Sequence, residues 1–208
     1  LFARILETTG RQLDPEVLTL GFARRAATYK RADLLFSNLE RFLEVAGNRK
    51  VQFIFAGKSH PSDNGGKALL QKIRKAARDL EESIPIVFID NYNMEIASLI
   101  TQGVDLWLNT PMRPREASGT SGMKCALNGI MNFSVLDGWW IEGWIEDVTG
   151  WSIGPEPNGG DLSDHYDESL DAIDLYEKLE KKIIPTYYEN HEKWLDMMRH
   201  TIALNASF

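Results

Sequence analysis

The sequence predicts an α/β fold: a mostly parallel sheet covered by helices on both faces. Two observations carry this. Five short apolar runs, none showing strict polar alternation, are separated by longer stretches with helical spacing. Continuous apolar runs of this kind mark strands buried on both faces, and strand–helix–strand alternation implies right-handed crossovers and parallel pairing. In such folds ligands sit beyond the carboxyl ends of the strands. The loops to inspect are therefore 23–30, 57–65, 90–93 and 109–121.

In chain order, Val17–Phe22 (VLTLGF) reads as the first strand. Arg31–Val45 follows as a helix, with Leu34, Leu35, Leu39, Phe42 and Leu43 at helical spacing. Val51–Phe55 (VQFIF) is the second strand, ended by Ala56-Gly57. Gly66–Glu82 is a helix with Leu69, Leu70, Ile73, Ala77 and Leu80 on one face. Pro85–Ile89 (PIVFI) is the third strand, Met94–Thr101 a short helix, and Val104–Leu108 the fourth strand. Ser121–Ile130 reads as a helix and Met131–Val135 as the fifth strand. Beyond residue 136 the pattern changes. Asp137–Gly160 is rich in Trp, Gly and acidic residues without a period, and Asp171–Ile202 is helical but interrupted at Pro185, which breaks or kinks a helix.

Composition narrows the function classes. Of 208 residues, 43% are hydrophobic and 25% charged, which excludes a disordered chain. The net charge of −7 argues against a dedicated nucleic-acid binder, while leaving room for a local basic pocket. No stretch approaches the ~18 apolar residues of a membrane span. The single cysteine, Cys125, cannot form an internal disulfide and points to a reducing, cytoplasmic setting. His60, His165, His191 and His200 are too widely spaced for a metal site, and none is expected. Trp139, Trp140, Trp144 and Trp151 read as core or interface rather than as a sugar platform. The chain begins at Leu1, without an initiator Met, and is expected to be a piece of a longer protein.

Two loops carry chemistry. Phe22–Arg31 (FARRAATYKR) places Arg24, Arg25, Lys30 and Arg31 at one strand end of an acidic protein. Guanidinium and ammonium groups aimed at one spot make a phosphate clamp, and a helix starting near Lys30 would add backbone N–H groups and a positive dipole end. A solvated basic helix start is the competing reading. The second loop, Arg113–Lys124, runs through Ala117-Ser118-Gly119-Thr120-Ser121-Gly122 into a helix. Its glycines allow close backbone approach to a ligand, and its hydroxyls can cap the helix. Lys124 reads as a first-turn lysine, disfavoured there by the helix dipole. Burial in the run Met123, Cys125, Ala126, Leu127 would make it a nucleophilic amine, and an exposed surface lysine is the other reading.

Glu116–Gly129 (EASGTSGMKCALNG) closely resembles the pyridoxal-phosphate segment of the α-glucan (glycogen/maltodextrin) phosphorylases. Val135–Gly143 (VLDGWWIEG) resembles the continuation in short bacterial-type members. FARRAATYKR, Phe55–Pro61 (FAGKSHP) and Ile89–Asn93 (IDNYN) match in order, so the resemblance covers residues 13–160. It implies the C-terminal half of a GT-B type fold: a Rossmann-like domain over residues 1–160, and helices over 161–208 that pack back toward an absent N-terminal domain. It implies a glucan phosphorylase, a hexosyltransferase using pyridoxal 5′-phosphate, inorganic phosphate, α-1,4-glucan and glucose 1-phosphate, and an isolated chain that is inactive.

By the same resemblance Lys124 holds the cofactor as a Schiff base. Arg24, Thr120, Ser121 and Tyr92 lie near the cofactor; Arg25 and Lys30 hold the reacting phosphate; Glu116, Ser118 and Gly119 hold glucose hydroxyls. Arg24 stands where the family often has lysine, Gly122 replaces an asparagine of longer members, and Asn93 departs from an arginine. The competing function is a retaining nucleotide-sugar glycosyltransferase of glycogen- or starch-synthase type. Those enzymes often carry a second glutamate where Lys124 stands, and an ammonium cannot accept from ribose hydroxyls. A non-catalytic folded piece is the third reading. Leu195, Met198 and Ile202 are expected to expose apolar surface that favours self-association.

Overall fold

The strands are β1 Leu18–Ala23, β2 Val51–Ala56, β3 Ile86–Ile89, β4 Leu106–Asn109, β5 Met131–Val135 and β6 Gly150–Ile153. In the structure, a computed structural model describing residues 1–47, 50–157, 167 and 169–206, they form one sheet of order β3-β2-β1-β4-β5-β6. Every pairing is parallel. The order reverses between β1 and β4, so the loops leaving these two strands flank the crevice where such sheets bind ligands.

Both sheet faces are buried, as the continuous apolar runs require. Leu18, Leu20, Phe22, Phe53, Phe55 and Phe133 face one core. This core is covered by α2 Leu39–Ala46, α3 Asn64–Asp79 and α7 Ser169–Lys178, through Phe42, Ile73 and Leu175 among others. Ile54, Val87, Ile89 and Trp107 face the other core, against α1 Phe2–Thr9, α4 Met94–Gly103 and α5 Thr120–Leu127. Trp139, Trp140 and Trp151 are buried, and α6 Trp140–Gly143 and Trp144 pack with Ala126 and Leu136 in a smaller cluster.

The region 31–45 departs from the expected helix. Thr28–Lys30 and Leu34–Phe36 are single 3-10 turns, and α2 begins only after Asn38, whose side chain accepts from Arg41 N at 3.0 Å. Arg31 sits at φ 41°, outside helical space, held there by its side-chain bonds. Leu35, Phe36 and Phe42 still reach the core, so apolar spacing persists without a continuous helix. The dipole and N–H groups expected at Lys30 are therefore absent.

Three further differences follow from tertiary context. β6 lies in the segment that showed no period, because a four-residue strand with a buried Ser152 is too short to show one. α1, ended by Gly10 at φ 69°, was not expected either. The third concerns Pro185, which does not break the C-terminal helix. A π turn over Leu179–Ile183 carries α7 into α8 Ile184–Glu189, and Pro185 sits in the first turn of α8, where its missing N–H is least needed. The break comes at Asn190, which caps α9 His191–Asn205 by accepting from Lys193 N at 3.1 Å.

Leu175, Tyr176, Leu179, Ile183, Trp194 and Met197 bury themselves in the sheet's own core. Of the residues expected to be exposed there, Leu195 and Ile202 are, whereas Met198 packs partly against that core. His165 lies outside the described residues. No helix among the described residues is long and apolar enough to cross a membrane, and no cluster there could hold a metal ion.

At the opposite end of the sheet from the crevice, Asp105 accepts from Thr19 N at 2.8 Å, and burial pushes its carboxyl up to about 6. The native state thus binds this proton more tightly than the unfolded chain. The associated stability is full in acid and is lost as pH rises from the ordinary aspartate range through about 6. Asp105→Asn should therefore raise stability near neutrality, by up to about 3 kcal/mol, and change little in acid. Urea unfolding as a function of pH measures this. Equal effects at both ends would refute it.

Candidate functional site

The crevice brings together residues far apart in sequence. Arg24 leaves β1, its backbone N–H donating to Ala56 O at 3.1 Å. Its guanidinium donates to Glu116 Oε1 at 2.6 Å and to Asn109 Oδ1 at the end of β4. Lys30 Nζ lies 3.4 Å from Glu116 Oε2. All three charged side chains are at least nine-tenths buried. Burial would push the Glu116 carboxyl up; the hydrogen bond and charge of Arg24, with the charge of Lys30, outweigh it and hold Glu116 below the ordinary glutamate range.

The loop carrying Glu116 is held from below. Asp137 accepts from Glu116 N at 2.8 Å and from Gly138 N at 2.9 Å, and Trp139 N donates to Ser118 O at 2.8 Å. Gly138, at φ 57°, lies so close that a Cβ there would meet Ser118 O at 2.4 Å. Burial raises the Asp137 carboxyl, its two backbone hydrogen bonds opposing the shift. Asn109 and Asp137 were not singled out as site residues. Both stand in segments already flagged, a strand-end loop and the LDG run, but only the folded chain aims them at Arg24 and Glu116.

α5 starts from Gly119 at φ 86°, and no side chain caps it. The hydroxyls of Ser118, Thr120 and Ser121 do not cap the helix as expected. Lys124 falls in the last turn of this two-turn helix, where the dipole favours a cation, rather than in the first. Its side chain is exposed, so burial does not make it nucleophilic. Lys124 lines a cavity of about 310 Å³ together with Tyr92, Ser121, Met94 and Leu127. The Tyr92 hydroxyl donates to Ala23 O at 3.3 Å, one residue before Arg24, so the cavity adjoins the cation cluster. Burial pushes the Tyr92 phenol up, against the pull of the Arg24 charge.

Of the expected site residues, then, Arg24, Lys30 and Glu116 meet directly, and Tyr92, Ser121 and Lys124 share the adjoining cavity. Ser118 and Thr120 are exposed at the helix start, with Gly119 between them. Arg25 is exposed and does not join the cluster: among the described residues its side chain makes no hydrogen bond or ion pair. Cys125 is fully buried, and burial pushes its thiol well up, as suits a packing residue.

Gly122 has a packing reason. A Cβ there would meet Asn132 Oδ1 at 2.3 Å and Trp139 Nε1 at 2.9 Å, while Asn132 Nδ2 donates to Gly122 O at 3.2 Å. The Asn132 side chain fills the space a larger residue 122 would need. Gly122→Ala should cost about 1–3 kcal/mol by overpacking, with part of the loss relieved by Asn132→Ala. Urea melts of the two single variants and the double variant test this, and additive losses would contradict it.

A family model described as carbohydrate phosphorylase matches residues 1–150. A maltodextrin phosphorylase of Thermococcus litoralis is 47% identical over 193 residues, 92% of this chain and 23% of that protein. A glycogen phosphorylase of Aquifex aeolicus is 44% identical over 205 residues, 95% of this chain and 29% of that protein. One from Mycobacterium tuberculosis is 45% identical over 196 residues, 91% of this chain and 22% of that protein. The chain thus spans between 22% and 29% of the length of these relatives. Agreement over nearly the whole chain, at an identity that leaves the fold in no doubt, together with the parallel sheet and its crevice, shows that the chain belongs to the carbohydrate phosphorylase family.

Proposed function

We propose that the chain is the part of an α-glucan phosphorylase that holds pyridoxal 5′-phosphate and the reacting phosphate, acting with the remainder of a longer enzyme in the cytoplasm. The reaction is reversible phosphorolysis of terminal α-1,4-glucosidic bonds, giving α-glucose 1-phosphate with retention. Residues 1–160 form the cofactor and phosphate domain. The described helices of 161–208 brace it, and their exposed flank is available to the rest of the enzyme. One observation carries the reading: the cavity lined by Tyr92, Ser121 and Lys124 adjoins a buried cluster of two cations sharing one carboxylate.

The residues fit the cofactor. The cavity volume suits a single substituted ring. Lys124 supplies a primary amine at its rim, and the uncapped start of α5 supplies N–H groups for a phosphate. When bound, the group would supply a second phosphate beside the reacting one and would support proton transfer to the departing glucan oxygen. The chain does the rest. Thr120 and Ser121 N–H groups and Arg24 hold the cofactor phosphate. Lys30 and Arg25 hold the reacting phosphate, Arg25 turning in from its exposed position.

Glu116, kept anionic by its neighbours, is a pure acceptor for glucosyl hydroxyls, alongside Ser118 and the Gly119 backbone. Because Glu116 is paired to both cations, the sugar and phosphate positions are set by one cluster. The cations stabilise charge developing across the transition state.

The test uses the chain itself. Incubation with pyridoxal 5′-phosphate, borohydride reduction and peptide mapping should find the label concentrated on Lys124. A label spread over surface lysines, or none, would overturn the reading.

A further inference from the structure

We propose that Asp171, in the C-terminal helical segment, is a positioning residue that holds Lys30 in place for the reacting phosphate; this rests on the reading of Lys30 as a phosphate-holding group. Lys30 carries a flexible four-carbon stem, so its placement depends on the backbone beneath it. That backbone is clamped to the loop after β4. Thr110 Oγ1 lies 3.0 Å from both Lys30 O and Arg31 O, and Met112 N donates to Tyr29 O at 2.7 Å. The clamp is completed by Arg31, whose Nε donates to Thr110 O at 3.1 Å and whose Nη2 donates to Pro111 O at 2.8 Å.

The same guanidinium pairs with Asp171, whose side chain is 0% exposed, in the first turn of α7. Room is made for that carboxylate. A Cβ on Gly154 would fall 1.9 Å from Asp171 Oδ1, and Gly154 N is held by Asp174 Oδ2 at 2.8 Å. Burying a carboxylate is costly, and an apolar side chain would seal this junction at lower cost. The charge makes sense as an anchor. It fixes Arg31 in its left-handed conformation, φ 41°, and so fixes where its neighbour Lys30 meets Glu116. Asp171 lies outside residues 1–150, the stretch matched by the family model, so the proposed phosphate loop is braced by a segment beyond that stretch.

The experiment is calorimetric titration of the chain with inorganic phosphate at low ionic strength. Asp171→Asn keeps the shape of the side chain and removes its charge; phosphate affinity should fall roughly tenfold, the usual scale for losing a partner that orients a binding group. Lys30→Ala should also weaken binding, and the double variant should be no weaker than Lys30→Ala alone, because Asp171 acts through Lys30. A merely structural role would give additive losses, which would overturn the proposal, as would unchanged affinity in a folded Asp171→Asn. If that variant fails to fold, Arg31→Lys, which keeps the pairing charge but not the guanidinium fork, must show the same coupled loss. A wild-type chain that binds no phosphate would overturn the reading of Lys30 itself.

Discussion

Arg24→Met is expected to cost about 3–5 kcal/mol of stability at neutral pH, with a far smaller cost in acid. The variant leaves Glu116 buried with only the longer contact to Lys30, 3.4 Å away. In the wild-type chain the Glu116 carboxyl lies below its ordinary range, so its contribution is present above that range and lost as pH falls through the lowered value. In the variant, burial is no longer outweighed and the carboxyl rises. The folded variant then loses stability as pH climbs from the ordinary glutamate range through that raised value. The gap between the two proteins is thus small where Glu116 is protonated in both and full where both would be ionised. Urea unfolding from acid to neutral pH measures the gap. A cost independent of pH would mean that Arg24 contributes packing rather than charge compensation. Adding Glu116→Gln and Lys30→Met to Arg24→Met should recover much of the loss, since removing every charge of the buried cluster is milder than orphaning one.

Lys124→Ala is expected to abolish retention of pyridoxal 5′-phosphate, and with it turnover of an enzyme containing this chain. Only a primary amine that can shed its proton can bond to the aldehyde carbon, with water leaving. Lys124→Arg separates this from simple attraction. It keeps a positive charge at the cavity rim but cannot be deprotonated, so it should lose the borohydride-reducible adduct as completely as alanine. Absorbance of the cofactor after desalting, with and without reduction, reads the result. Retention by the arginine variant would show that charge alone holds the group. Because Lys124 is exposed, neither substitution should shift the melting temperature appreciably, which keeps loss of cofactor distinct from loss of fold.

The strands were legible because a sheet buried on both faces leaves continuous apolar runs, and VLTLGF, VQFIF and PIVFI are such runs. Helices α3, α4 and α5 were legible to within a few residues at each end, α3 through its apolar spacing. The stretch 31–45 misled because 3-10 turns place Leu35, Phe36 and Phe42 in the core at nearly helical intervals. Pro185 misled because a π turn can absorb a missing N–H, and such a turn has no sequence pattern of its own. Among the site residues, Arg24, Lys30, Glu116 and Lys124 stood out by charge in small-residue or strand-end loops. Asp137, Asn109 and Asp171 did not, since nothing local distinguishes a buried carboxylate or amide from an exposed one.

By itself, the order of residues determined the α/β class, the order of the first five strands along the chain and the two loops proposed to carry the chemistry. These follow from local periodicity and from the residue types a phosphate requires. Tertiary structure alone decided which cations share Glu116, that Arg25 stands outside that cluster and Lys124 at an open cavity rim, and that Asp171 reaches back to Arg31. Those outcomes depend on which strand lies beside which. The reversal of strand order between β1 and β4 sets residues 24 and 116 face to face, and no pattern within either loop encodes that meeting.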